Sequence, residues 1–151
     1  MTNLIITIFV VGVLLYLSAY DVSERRIPNH IVLPCTFGLL ATLGILGKFM
    51  GRGPDFSRAT FGFVFTLLLF LALVAISPNG IGMGDVKLSA LIGTALAWVS
   101  FNALFMGLVA MFVIAGIYSG ILLFKNPKLI RSTIPFAPFM TLGYIIGIVM
   151  R

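Results

Sequence analysis

Between Val86 and Phe124 the chain carries one charged residue, Lys87, and is otherwise almost wholly apolar. A bilayer core of roughly 30 Å is crossed by about 20 helical residues rising about 1.5 Å each, so this stretch must cross, turn and cross back. The turn is placed near Ser100 to Asn102, the most polar point within it. Three further apolar runs precede it, at about residues 3 to 20, 31 to 48 and 59 to 76, and a short one follows at about 136 to 150. The expected fold class is therefore an all-α integral membrane protein, a bundle of about six transmembrane helices forming one domain over residues 1–151.

Composition agrees with that reading. The chain is 60% hydrophobic and 9% charged, against roughly a quarter charged in a soluble domain. Its net charge of +6 does not point to nucleic acid, because the basic residues are scattered over several inter-span loops. The lone cysteine, Cys35, has no second thiol in the chain to pair with and reads as a small apolar residue within a span. Leu4 to Ala19 lacks a basic leader segment and a convincing cleavage site, and reads as a retained first span. The stretch from Lys48 to Arg58, with Gly51, Gly53 and Pro54, reads as a loop, and Lys125 to Arg131 as another. Loops after the first, third and fifth spans hold Arg25, Arg26, Lys87, Lys125, Lys128 and Arg131. The opposite side holds Lys48, Arg52, Arg58 and Arg151. That bias places the first group in the cytoplasm.

Only four acids occur: Asp21, Glu24, Asp55 and Asp85. Asp55 falls in the Gly/Pro loop and reads as a solvated surface charge. Asp21 and Asp85 each sit where a span meets a loop, and two crossings separate them, so they emerge on the same side. A carboxylate at that depth is costly unless it meets a polar cavity or a partner. Two carboxylates brought close cannot both ionise, so they share a proton. The ionised member can then take a proton from water while the protonated member polarises a carbonyl, with no metal or cofactor. The glycines of Gly82-Met83-Gly84-Asp85 permit unusual backbone angles and close approach of another chain, such as an extended peptide. Taken alone, this segment reads as a helix start capped by Asp85 before it reads as a catalytic site.

Three segments together resemble the type IV prepilin peptidases, the GxGD class of intramembrane aspartyl proteases. They are Asp21 followed by Arg25-Arg26-Ile27-Pro28-Asn29, then Gly82-Met83-Gly84-Asp85-Val86-Lys87-Leu88, and Ile134-Pro135-Phe136-Ala137-Pro138-Phe139. The likeness spans nearly the whole chain, with Ala137 where the family usually has glycine. It implies Asp21 and Asp85 as catalytic residues, and Gly82, Gly84, Lys87, Pro28, Pro135 and Pro138 as substrate-binding or site-shaping ones. It also implies prepilin or pseudopilin substrates with a short basic leader cut after glycine, and an active site at the cytoplasmic face of the inner membrane. The single cysteine and the start at the first core span resemble the short form found with Flp/Tad-type pili, which implies peptidase activity without methylation. Assembly into a homo-oligomer is left open.

Several residues keep two readings. Lys87 either helps keep one carboxylate ionised or steadies the loop, or else snorkels to the interface as a topology signal. Arg25 and Arg26 read as positive-inside anchors, and His30 as a lone histidine without a metal set. Two other functions fit paired membrane acids: an archaeal-type preflagellin peptidase, and a small proton or cation transporter component using Asp21 and Asp85. The glycine-rich turn before Asp85 suits peptide access better than an ion path.

Overall fold

A computed structural model describes residues 2–77, 81–125 and 135–151. Six helices follow one another up and down: α1 (Thr2–Glu24), α2 (Asn29–Phe49), α3 (Gly53–Ile76), α4 (Met83–Val99), α5 (Phe101–Lys125) and α6 (Ala137–Val149). By length and apolar character α1, α2, α3 and α5 can each cross a bilayer, whereas α4 and α6 are shorter. The turn expected at Ser100 to Asn102 falls at Ser100, which is extended between α4 and α5. The loop expected from Lys125 to Arg131 lies outside the described residues apart from Lys125, as does Ile134.

Helix α4 is the hub, touching all five other helices. From Leu88 to Trp98 every residue is buried, so its sequence shows no polar face. Small residues let its neighbours approach closely, the usual device where apolar burial cannot drive helices together in lipid. Gly62 of α3 and Gly93 of α4 face each other so tightly that a Cβ on either would collide with the carbonyl of the other. Thr66 and Ser89 lock the same seam: each hydroxyl donates to the other's carbonyl, at 2.9 and 3.3 Å.

One expectation is corrected at the opposite end of the bundle. The loop predicted over Lys48 to Arg58 is only a three-residue turn, Met50 to Arg52, between α2 and α3. Gly51 supplies its one left-handed step, at φ 66°. Pro54 and Asp55 then fall in the first turn of α3, where a missing N–H is harmless and a negative charge is favoured. Asp55 is therefore not a solvated charge. Arg52 and Arg58 both pair with it. Arg58 also donates to the α4 carbonyls of Ala97 and Trp98, at 3.3 and 3.2 Å. Asn3 accepts from Arg52 and from the Trp98 indole, at 3.0 and 3.1 Å. This network ties the starts of α1 and α3 to the end of α4.

Candidate active site

On α1 the buried residues Val10, Leu14, Leu17 and Asp21 recur at helical spacing, so Asp21 continues the stripe that faces the bundle. It is 6% exposed, and Asp85, in the first turn of α4, is 8% exposed. The alternating helix directions bring both to one end of the bundle, Asp21 in the last turn of α1 against the start of α6 and Asp85 in the first turn of α4.

Each carboxylate is held by a helix start. Asp21 belongs to the last turn of α1, where the helix dipole disfavours an anion. Its Oδ2 instead accepts the Ala137 N–H at 3.2 Å, so the negative group rests on the N-terminus of α6. Asp85 Oδ2 accepts the Gly82 N–H at 3.2 Å, reaching back over the start of its own helix. Capping by Asp85 is thus real, and it coexists with placement beside Asp21. Among the described residues neither acid has a salt-bridge partner. The partial positive ends of two helices, about half an elementary charge each, are what face these carboxylates.

The neighbouring motif residues have distinct places. Gly82 is exposed and extended, with φ −77° and ψ 151°, and neither it nor Gly84 has positive φ. The expectation of unusual backbone angles does not hold for them. Close approach does hold for Gly84, but the group that approaches comes from this chain: a Cβ on Gly84 would lie 2.8 Å from the Cβ of Ile27. Lys87 contacts no carboxylate; its ammonium donates to Asn29 Oδ1 at 2.8 Å. Pro28 is the N-cap of α2, its carbonyl accepting from Ile31 and Val32. Pro135 leads into α6 and Pro138 lies in its first turn. Phe136 between them makes tilted ring contacts with Phe70, Phe112 and Phe139, which seat the helix start that holds Asp21.

Sequence reasoning passed over several residues. One turn below Asp21, the buried hydroxyls of Ser18 and Thr141 share a 2.7 Å hydrogen bond between α1 and α6. Ile27 packs against the core, and its apolar side chain amid Ser23 to Asn29 is the signal for that; no such signal marks Asn29. Arg25 adopts φ 52° where α1 ends, its N–H bonding to the Asp21 carbonyl at 2.9 Å. Glu24, Arg25, Arg26 and His30 are exposed. Among the described residues no group of three or more His, Cys, Asp or Glu comes together.

Comparison with known proteins adds a family. The model of the type IV leader peptidase family matches residues 8–124, a span that includes Asp21 and Asp85 but ends before Pro135. The prepilin leader peptidase/N-methyltransferase of Aeromonas salmonicida is 28% identical over 133 residues, covering 87% of this chain and 44% of that protein. Its counterpart in Pseudomonas aeruginosa is 27% identical over 135 residues, covering 86% and 44%. That of Burkholderia pseudomallei is 29% identical over 132 residues, covering 86% and 41%. The chain thus spans less than half the length of these curated relatives. No solved structure matches it.

Proposed function

The chain belongs to the type IV leader peptidase family, and from that premise we propose that it is an aspartyl endopeptidase that removes the leader from prepilins or pseudopilins within the membrane. The observation that carries the reading is the pair of buried acids, Asp21 and Asp85, brought to one end of the bundle from two helices. In this mechanism the pair holds one proton. The ionised member takes a proton from the attacking water, and the protonated member polarises the scissile carbonyl. The two act as a unit, so neither has a fixed acid or base role.

The resting contacts suggest what must change on binding. Each Oδ2 is occupied by a backbone N–H, from Ala137 and from Gly82. A water and a peptide carbonyl would be received by the remaining carboxylate oxygens, with geometry tightening as substrate closes the site. Gly82 and Met83 are exposed beside Asp85, and Val22 is exposed beside Asp21. These small and apolar surfaces suit the junction between a polar leader and an apolar helix. The excess of Lys and Arg on the acids' side supports a cytoplasmic active site. On the motif resemblance, Flp/Tad-type prepilins are the substrates to try first.

The test is co-expression with a Flp-type prepilin, a prepilin of another type-IV system and a preflagellin, each followed by mass. Leader removal with the cut mapped after the leader glycine is expected for the Flp-type substrate. Cleavage of the preflagellin alone would reassign the substrate class, and cleavage of none would overturn the peptidase reading.

A further inference from the structure

The geometry points to Asn29 and Lys87 as positioning residues: a clasp between the α1–α2 connection and the first turns of α4 that sets Asp85 in register with Asp21. The inference rests on the peptidase reading above only for its catalytic consequence; its geometric part stands apart from it.

Two contacts bracket Asp85. On its N-terminal side, Gly84 receives Ile27 so closely that a Cβ there would lie 2.8, 3.2 and 3.4 Å from the Cβ, Cγ1 and Cδ1 of that isoleucine. On its C-terminal side, Lys87 Nζ donates to Asn29 Oδ1 at 2.8 Å. Ile27 and Asn29 flank Pro28, whose fixed φ stiffens the connection between them. At the other end of the same short connection, Arg25 takes a left-handed conformation that only glycine adopts without cost. The Arg25 N–H closes on the Asp21 carbonyl at 2.9 Å, the bond by which a left-handed residue commonly ends a helix. The chain thus leaves Asp21 in a fixed direction, and the two contacts with α4 carry it on to Asp85. The path from Asp21 through Arg25, Ile27 and Asn29 to Asp85 is therefore short and pinned at both ends.

The clasp also gives Lys87 a role that does not run through its charge. Its ammonium is satisfied by a neutral amide, and no ion pair joins it to either acid. Asn29 is thus the residue that distinguishes the two roles, because replacing it leaves the lysine charge in place.

The test uses the full chain in proteoliposomes, with Cys35→Ser and spin labels at Val22→Cys and Met83→Cys, exposed positions adjoining the two acids. Pulsed electron spin resonance gives the distance distribution between them. A narrow distribution is expected for the parent chain, a broadened one for Asn29→Ala and for Lys87→Met, and a narrow one again for Asn29→Asp, which keeps the acceptor oxygen. Prepilin cleavage without the labels should show kcat lowered by about 10- to 100-fold in the two broadened variants. KM should be unchanged, and Asn29→Asp should be restored. An unaltered distribution in Asn29→Ala overturns the clasp, whatever the cleavage rates. A silent Asn29→Ala beside an inactive Lys87→Met overturns it in favour of a direct effect of the lysine charge. If the distances behave as expected while the parent chain cleaves nothing, the clasp stands and the peptidase reading fails.

Discussion

Replacing Gly84 by alanine places a methyl carbon 2.8 Å from the Cβ of Ile27, 3.2 Å from its Cγ1 and 3.4 Å from its Cδ1. Carbon atoms rest at about 3.5–4.0 Å, so the start of α4 and the α1–α2 connection must separate by about 0.7–1.2 Å. Overpacking of this kind costs about 1–3 kcal/mol. The separation falls between the two acids, and a displacement of about 1 Å at a catalytic group lowers rate by about 100-fold. Prepilin cleavage in proteoliposomes measures the second effect, and reversible unfolding in mixed micelles the first. A second substitution separates this cause from a general loss of fold. Ile27→Ala removes the outer atoms but leaves the closest one, so it should restore little of the activity lost in Gly84→Ala. Ile27→Gly removes all three contacts and should restore at least tenfold. Wild-type cleavage by Gly84→Ala, or full rescue by Ile27→Ala, would refute the reasoning.

Elsewhere the structure makes sharper predictions for stability than for rate. Ser18→Ala and Thr141→Val, taken singly and together, should show a coupling of about 0.6 kcal/mol and at most about 1.7, the average and the maximum for hydrogen bonds between membrane helices. A double-mutant cycle with no coupling would contradict the shared 2.7 Å bond. Asp55→Asn should lower stability by up to about 1 kcal/mol, since the partly exposed Arg52 and Arg58 lose their shared charged partner. Cleavage rate should not change, because this network lies at the far end of the bundle; a loss of rate would contradict that. The Tyr144 hydroxyl is wholly buried and has no hydrogen-bond partner among the described residues. Tyr144→Phe should therefore be neutral or stabilising by about 1 kcal/mol, and a loss of that size in micelle unfolding would contradict it.

Much of this architecture is legible in the sequence, because lipid leaves so few options. Apolar runs of spanning length locate the helices, and the long run from Val86 to Phe124 can only be a hairpin. The two crossings between Asp21 and Asp85 put both acids on one side, whereas the buried stripe of Val10, Leu14, Leu17 and Asp21 was not legible, because α1 is apolar all round. Nor was the partner of Asp21 legible. Ala137 is 116 residues away, and any helix start reaching the same end of the bundle would have served. The reading of residues 48–58 as a loop failed for a local reason. Gly51, Gly53 and Pro54 are breakers in one register and a helix start in the next, and Arg52, Asp55 and Arg58 settle the choice only once α4 lies beside them. Gly84 shows the same limit, since its sequence says that something approaches but not that Ile27 does.

The central claim is that Asp21 and Asp85 work as one catalytic unit. The direct test is the cleavage rate of a purified prepilin by the protein in proteoliposomes, for wild type, Asp21→Asn, Asp85→Asn and the double variant. Asparagine keeps the size and an oxygen for the Ala137 or Gly82 N–H, but it does not share a proton. The account predicts that each single variant loses cleavage as completely as the double one, with intact insertion and unfolding behaviour. Cleavage at near the wild-type rate by either single variant would contradict it.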